Sequence, residues 1–283
     1  MTARWIVGVD GSQGSRHALE WTVAQAAGRD VNVDAVSAWS VPLTGAEIGM
    51  PGVLTDWDEV RTSVAERLDK VLSELERDGV DVRPVVIQGG AVSALLDESA
   101  KAQLLVLGSR GLNAMKRLTL GSVSRHLATH ARVPTVVVPG EAPTNAAQRM
   151  IVGVDGSANS AAAFRWALDF AGTGAEVEVV AAITVSPWLD PDTTRARFAT
   201  EIELEERHIS SVLDEVDPDH RATRRVELQD ARVAIAEAAD QADLVVIGSS
   251  GRSRIGEMLL GSTASWLVQH ATRATVVIPP AGR

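Results

Sequence analysis

Two copies of one glycine pattern are the residues in this chain best suited to do chemistry. The first copy follows the apolar segment 104–107 and comprises Gly108, Gly111, Gly121 and Ser122. The second follows the apolar segment 244–247 at the same spacing and comprises Gly248, Gly251, Gly261 and Ser262. Glycine permits positive φ and a close approach of backbone to ligand, and a helix that opens at Gly-Ser presents free N–H groups to an anion. The pattern therefore predicts two phosphate-binding sites and a nucleotide as the ligand.

A second repeated segment indicates that the whole chain is a tandem duplication. The sequence VGVDGS at residues 7–12 recurs at 152–157, which sets a unit of about 140 residues, the size of a domain. We predict one domain at 1–139, a polar, proline-containing linker at 140–148 and a second domain at 149–283. Each predicted domain carries one copy of the glycine pattern.

Apolar segments of strand length alternate with stretches of helical spacing in each unit. In the first unit the predicted strands are 5–9, 31–38, 82–87, 104–107 and 135–138. The predicted helices between them are 15–29, 55–78, 93–102 and 122–130. This alternation indicates a parallel sheet covered by helices on both faces. With right-handed crossovers and an assumed strand order of 3-2-1-4-5, we expect an α/β fold of two tandem, doubly wound, Rossmann-like five-stranded sheets related by a pseudo-twofold axis.

The assumed strand order brings an aspartate next to each glycine loop. Ligands of doubly wound sheets bind beyond the carboxyl ends of the strands, where the strand order reverses. Strands 1 and 4 are neighbours at that point, so Asp10 at the end of the first strand and Gly108 at the end of the fourth converge. The carboxylates of Asp10 and Asp155 are candidates to bond a ribose hydroxyl or to hold Mg²⁺. The alternative interpretation of these aspartates is a helix N-cap or an Asx turn.

Composition and charge argue against several classes of function. The 283 residues carry a net charge of −10 and no cysteine, which argues against general nucleic-acid binding and excludes disulfides, thiolate nucleophiles and zinc–thiolate sites. No apolar segment approaches the length of a membrane-spanning helix, and the first residues run into a strand without an apolar signal segment. We therefore expect a cytoplasmic protein with no membrane partner.

Motifs of several well-known nucleotide-binding enzymes are absent from the sequence. There is no P-loop pattern, no Rossmann G-x-G-x-x-G and no recognisable set of nucleophile, base and orienting group. No residue stands out as a general base for attack on a γ-phosphate. A binding protein is therefore favoured over an enzyme. If the chain has catalytic activity, the sequence supports no more than a weak ATPase.

The pattern G-x2-G-x9-G-[ST], together with VGVDGS, resembles that of the universal stress protein family, and the duplication resembles its tandem-domain branch. The resemblance covers nearly the whole chain. It implies the adenine-nucleotide-binding α/β fold of that family, with ATP and Mg²⁺ as ligands. The glycine loops would line the triphosphate and ribose, the Gly-Ser helix starts would hold the phosphates, and Asp10 and Asp155 would meet the ribose or the metal. Cyclic AMP is an alternative ligand, because some relatives bind it.

Carried over by position, the resemblance implies one set of binding residues in each half. The first set is Gly8, Val9, Asp10, Ala38, Gly108, Ser109, Arg110, Gly111, Arg117, Gly121, Ser122 and Val123. The second set is Gly153, Val154, Asp155, Ala182, Gly248, Ser249, Ser250, Gly251, Gly261, Ser262 and Thr263. Arg110 in the first set is matched by Ser250 in the second, so we expect the first site to suit phosphate better.

Three functions remain open at this point. The chain is an ATP-binding protein of stress response or signalling, a slow ATPase or phosphotransfer enzyme, or a dimerising scaffold with vestigial sites. The last strands, 135–138 and 275–278, would lie at open sheet edges, which invite pairing with another strand. We expect the two domains to pair through these strands within one chain, and a further homodimer of the whole chain stays open.

Overall fold

A computed structural model describes residues 2–40, 57–111, 120–140, 142–184, 196–251, 259–270 and 272–280. The elements of the first half are β1 (Ala3–Gly8), α1 (Gln13–Ala26), β2 (Val31–Trp39), α2 (Trp57–Ser73), β3 (Asp81–Gln88), α3 (Ala91–Ser99), β4 (Leu104–Gly108), α4 (Ser122–His130) and β5 (Thr135–Val138). Those of the second half are β6 (Arg149–Val154), α5 (Ala158–Phe170), β7 (Glu176–Ala182), α6 (Ala199–Val216), β8 (Thr223–Glu227), α7 (Ala231–Ala239), β9 (Leu244–Gly248), α8 (Ser262–His270) and β10 (Ala274–Ile278). Strands and helices thus alternate in both halves, as the sequence predicts.

The strands form one continuous ten-stranded sheet in the order β3-β2-β1-β4-β5-β10-β9-β6-β7-β8. Within each half the neighbours are parallel and follow the predicted order 3-2-1-4-5, which confirms the fold class. At the centre, β5 and β10 pair antiparallel, with Val136 opposite Val276. The strands of the two halves therefore run in opposite directions. The carboxyl ends of β1–β5 and those of β6–β10 thus point to opposite sides of the sheet, along the strand direction.

Helices cover both faces of the sheet. One face packs against α1, α2, α5 and α6, and its core is continuous across the halves, since Trp5 and Phe170 stack with ring centroids 5.9 Å apart. The other face packs against α3, α4, α7 and α8 in two smaller clusters. β4 and β9 are buried along their whole length, as expected for parallel strands covered on both faces. Within the described part of the chain, no helix has both the length and the apolarity to cross a membrane.

The stretch between β5 and β6 is held against α1 and is not a free tether. Ala142 and Ala147 are 3% and 8% exposed and belong to the continuous core. The buried Gln25 side chain donates from Nε2 to Asn145 O (2.7 Å), and its Oε1 accepts from Ala147 N–H (2.9 Å). This stretch is therefore an ordered strap, defined here as residues 142–148.

Serine caps fix where α1 and α5 begin. Ser12 Oγ accepts from Ser15 N–H (3.2 Å), and Ser157 Oγ accepts from Ser160 N–H (3.1 Å). Such caps satisfy an N–H group that the helix itself leaves free. Because each cap closely follows the first strand of its half, it also fixes the loop that carries the strand-1 aspartate.

A buried carboxylate closes the turn between α6 and β8. The Asp217 side chain is fully buried and accepts hydrogen bonds from the backbone N–H groups of Arg221 and Ala222, both at 3.0 Å. Burial raises the pKa of this carboxyl, but the two backbone hydrogen bonds and the Arg221 guanidinium outweigh the burial, so the pKa of Asp217 lies below its ordinary value. The carboxylate form therefore stabilises the folded chain.

Candidate functional site

A cavity of about 440 Å³ opens at the carboxyl ends of β1, β2 and β4, beside the start of α4. We call it the first site. It is lined by Gly8, Val9, Asp10, Ser15, Val36, Ala38, Ala91, Leu95, Leu107, Gly108, Arg110, Gly111, Leu120, Gly121, Ser122, Val123 and Ser124. The strand order thus brings the strand-1 aspartate, the glycine loop and the helix start to one place.

The second half has an equivalent cavity of about 330 Å³, which we call the second site. It is lined by Gly153, Val154, Asp155, Ser160, Val180, Ala182, Ala231, Ile235, Ile247, Gly248, Ser250, Gly251, Gly261, Ser262, Thr263 and Ala264. Because β5 and β10 are antiparallel, the carboxyl ends of the two sets of strands point in opposite directions, and the two sites lie at opposite ends of the strands.

All but three of the residues singled out in the sequence line these cavities. Arg117 lies outside the described residues. Ser109 and Ser249 do not line a cavity but fix the helix starts through their backbone. Ser109 O accepts from Gly121 N–H (2.8 Å), and Ser249 O accepts from Gly261 N–H (2.7 Å).

The sequence pattern did not identify most of the apolar residues that line each cavity. In the first site these are Val36, Ala91, Leu95, Leu107 and Leu120. In the second they are Val180, Ala231, Ile235, Ile247 and Ala264. The small polar residues Ser15, Ser124 and Ser160 were also missed. The strand order places the carboxyl end of β2 beside that of β1, so the topology, rather than any motif, is the signal that points to Val36.

The aspartate that follows the first strand faces the glycine loop in each half. β1 ends at Gly8, so Asp10 lies two residues beyond the strand and not at its last position. Asp10 Oδ1 accepts from Ser12 N–H (2.9 Å) in an Asx turn, while Ser12 is the helix N-cap. Asp155 makes the same turn with Ser157 N–H (3.0 Å). Both aspartates also line their cavities, so the Asx turn leaves room for a role in binding.

The glycine loop requires glycine because it packs closely against its neighbours. The expectation that these glycines adopt a positive φ is wrong. Neither Gly108 nor Gly111 has a positive φ. A Cβ on Gly111 would lie 2.5 Å from Asp10 Oδ2, and one on Gly108 would lie 2.5 Å from Gly14 O. In the second half the equivalent glycine meets the aspartate carboxylate in the same way. The absence of side chains therefore lets the loop pack against the start of α1 and against the aspartate.

The first turn of α4 presents backbone N–H groups to the first site. Gly121 is the N-cap, and no side chain caps this end of the helix. The first bond within the helix runs from Arg125 N–H to Gly121 O (2.9 Å), so the N–H groups of Ser122, Val123 and Ser124 have no acceptor inside the helix. These groups and the helix dipole attract an anion. α8 begins at an equivalent Gly-Ser pair beside the second site.

Charged groups are few in both cavities. Among the described lining residues, the first site has Asp10 and Arg110, and the second has Asp155 alone. The described residues contain no group of three or more His, Asp or Glu that could hold a metal ion. Each cavity can therefore accept a ligand that carries both an apolar ring and an anionic group. Among the described lining residues, neither cavity has a pair of carboxyl or imidazole groups for general acid and base catalysis.

Comparison with known proteins matches both halves to one family. The family model described as "Universal stress protein family" matches residues 1–139 and 146–279. A universal stress protein of Mycolicibacterium smegmatis is 31% identical over 287 residues, which covers 97% of this chain and 96% of the relative. One from Mycobacterium tuberculosis is 31% identical and covers 96% of this chain and 95% of the relative. The crystal structure of a universal stress protein from Archaeoglobus fulgidus has the same fold, with a TM-score of 0.67 at 19% identity over 99% of both chains.

Proposed function

The chain belongs to the universal stress protein family, and we propose that each half binds one adenine nucleotide, ATP with Mg²⁺, in its cavity. One observation carries the proposal and holds in both halves. A helix start, a carboxylate and an apolar wall border the same cavity at the carboxyl ends of the strands. A nucleotide has three matching parts, because phosphates suit the helix start, ribose hydroxyls suit the carboxylate and the base suits the apolar wall.

The apolar wall supports binding of the base. In the first site, Val36 and Leu95 lie on this wall, and aliphatic residues take the equivalent positions in the second site. Moving a planar ring from water against such a wall contributes about 25 cal/mol for each Å² of apolar surface buried. The family resemblance implies that adenine lies beside Ala38 and Ala182, and both residues line their cavities.

The helix starts support binding of phosphate. The free N–H groups of α4 and the helix dipole, equivalent to about half a positive charge, lie at a helix start that lines the first site. Gly121 at this point has no side chain, so a phosphate group can approach the backbone closely. Gly261 has the same place in the second site.

Magnesium fits these sites only together with a nucleotide. Each cavity has one described carboxylate, Asp10 or Asp155, and Mg²⁺ prefers octahedral oxygen coordination built from one or two carboxylates, waters and phosphate oxygens. The bound metal would neutralise phosphate charge. We therefore expect no measurable Mg²⁺ binding without nucleotide, which calorimetry with MgCl₂ alone would check.

We propose that the ligand acts in stress response or signalling and that turnover is weak or absent. Among the described lining residues, Asp10 and Asp155 are the only carboxylates, and Oδ1 of each already accepts a backbone hydrogen bond. A general base for attack on a γ-phosphate needs a free, oriented acceptor. We also propose that the protein acts in the cytoplasm, where ATP is available to it.

The first experiment is identification of any small molecule that the purified protein carries. Denaturing the protein and analysing the supernatant by mass spectrometry should release an adenine nucleotide. Calorimetry of ligand-free protein with ATP, ADP and cyclic AMP, each with Mg²⁺, then ranks the ligands. An absence of any released nucleotide, together with no heat from all three, would refute the proposal.

Glycine substitutions at the helix starts locate the binding. Gly121 has no positive φ, and a Cβ there would meet only Ser109 O at 3.5 Å and more distant atoms. Gly121→Val should therefore fold but abolish binding at the first site, because its side chain takes space needed by phosphate. Gly261→Val should abolish binding at the second site. Gly140→Val is the matched control, because a Cβ at Gly140 meets nothing within 4 Å and the residue lies outside both cavities.

A further inference from the structure

One apolar cluster on the face covered by α4 and α8 contains residues of both halves. Ala128 of α4 and Val137 of β5 lie in it together with residues of α7, α8 and the strands of the second half. It lies where the halves meet, since β5 pairs with β10. We call it the shared cluster, and its buried members are Ala128, Val137, Ile151, Val180, Ala234, Ile235, Ala238, Ala239, Ala242, Val245, Ile247, Ala264, Leu267, Val268 and Val277.

The shared cluster reaches the first site through the start of α4. Leu120 lines the first cavity and also packs against the shared cluster. This residue directly precedes Gly121, the N-cap of the helix whose first N–H groups face the proposed phosphate position. Ala128, near the other end of the same helix, is a buried member of the cluster. The shared cluster therefore holds α4 at both ends.

The second site is built on the same cluster. Leu260, the counterpart of Leu120, directly precedes Gly261 and packs against the shared cluster as well. Several buried members of the cluster also line the second cavity, namely Val180, Ile235, Ile247 and Ala264. The two sites lie at opposite ends of the strands, yet the shared cluster borders both of them.

A separate cluster forms the rest of the apolar wall of the first site. Val36, Leu95 and Leu107 line the first cavity and belong to a cluster whose members all come from the first half. We call it the first-half cluster. On this face of the sheet, the first site is therefore connected to the second half through Leu120 and α4, and not through Val36, Leu95 or Leu107.

We propose that the two sites are positively coupled through the shared cluster, so that a nucleotide in one site raises the affinity of the other. This inference rests on the nucleotide-binding function proposed above. Packed interiors are dense, so a ligand that holds Leu120 in place also restricts the side chains packed against it. The first nucleotide orders the shared cluster, and the second binds to a cluster that is already ordered. Coupling is reciprocal, so each nucleotide raises the affinity of the other site by the same factor.

The test compares each site alone with both sites together. Calorimetry with ATP and Mg²⁺ gives the dissociation constant of the first site in Gly261→Val and that of the second site in Gly121→Val. The coupling factor is the product of these two constants divided by the overall dissociation constant for loading both sites of the unmodified chain. We expect a factor of at least about five. A factor of one or below would overturn the inference.

Hydrogen exchange tests the connection without comparing two glycine variants. In Gly261→Val, ATP can occupy only the first site, so any slowing of exchange in α8 and β10 is transmitted from the other half. We expect ATP with Mg²⁺ to slow exchange in both elements. Unchanged exchange throughout α8 and β10, at a concentration that saturates the first site, would overturn the inference.

A substitution in the shared cluster should weaken the coupling. Val137 is 1% exposed and lines neither cavity, so Val137→Ala should lower the coupling factor and leave the single-site dissociation constants nearly unchanged. The core on the opposite face also spans the halves, so the factor should fall without reaching one. Val85→Ala is the matched control, because Val85 packs against the first-half cluster and also lies outside both cavities. An equal fall in the two variants would overturn the role of the shared cluster.

The outcomes separate this inference from the proposed function. If the unmodified chain binds no nucleotide, the proposed function fails, and the coupling fails with it. If both sites bind nucleotide and the coupling factor is one, the proposed function stands and the coupling is wrong. Circular dichroism and thermal melting of each variant confirm that it is folded before binding is measured.

Discussion

Replacing Gln25 with methionine should loosen the strap that runs between the two halves. The Gln25 side chain is 2% exposed and bonds to Asn145 O and to Ala147 N–H. These partners lie 120 and 122 residues away in the sequence. Methionine is similar to glutamine in size and shape but makes neither hydrogen bond, so the substitution removes the bonds with little change in packing.

The expected loss of stability follows from the two hydrogen bonds that Gln25 makes. A typical intramolecular hydrogen bond contributes about 1 kcal/mol, and a buried N–H left without an acceptor costs about 1–3 kcal/mol. The N–H of Ala147 is such a group, because Ala147 is 8% exposed. We therefore expect Gln25→Met to lower the free energy of unfolding by about 2–3 kcal/mol.

Urea unfolding monitored by tryptophan fluorescence measures this change in the free energy of unfolding. The signal is available because the chain has 7 tryptophans and Trp5 lies in the core shared by the halves. The variant should unfold at a lower urea midpoint with an unchanged slope, which would report lost stability and not a change in the unfolded state. Gln103→Met, at an exposed position, is the control. A Gln25→Met midpoint equal to that of the control would refute the role given to the strap.

The folded-state pKa of Asp217 lies below its ordinary value, so the stability it provides is present above about pH 4 and is lost as the pH falls through the lower folded pKa. Urea midpoints measured from pH 6 down to pH 2.5 should therefore fall more steeply in the unmodified chain than in Asp217→Asn; parallel curves would contradict this. Gly111→Ala would place a methyl group 2.5 Å from Asp10 Oδ2, so nucleotide binding at the first site should weaken while that at the second is kept, as calorimetry in single-site backgrounds would show. Residues 1–139 expressed alone should dimerise through the uncovered edge of β5, and sedimentation showing a monomer at high concentration, with rapid hydrogen exchange in 135–138, would show that this edge does not need a partner.

The alternation of strands and helices followed from the sequence because it depends on local patterns, which repeat in the same order in each half. The order 3-2-1-4-5 was an assumption that the structure confirmed, since right-handed crossovers also allow other doubly wound orders. Once the order is given, Asp10 and Gly108 must converge at the carboxyl ends of their strands. The repeat strengthened each inference, because Asp155 and Gly248 occupy equivalent places.

Features that depend on contacts between distant residues were not accessible from the sequence. Gln25 and Ala147 carry no pattern that marks them as partners. The strap has no apolar periodicity, so nothing in its sequence indicated the burial of Ala142. Glycine is selected both by positive φ and by close packing, so the sequence could not distinguish the two reasons at Gly111. The three-dimensional structure was needed to show that the side chain of Asp10 is what excludes a Cβ there.

The number of nucleotides bound per chain tests the central claim most directly. Native mass spectrometry of the protein with ATP and Mg²⁺, or with a mixture of ATP and AMP, counts the ligands and identifies each by mass. We predict two adenine nucleotides on the unmodified chain, one on Gly121→Val, one on Gly261→Val and none on the double variant. A chain that binds no nucleotide, or a double variant that still binds two, would contradict the assignment of these cavities as the binding sites.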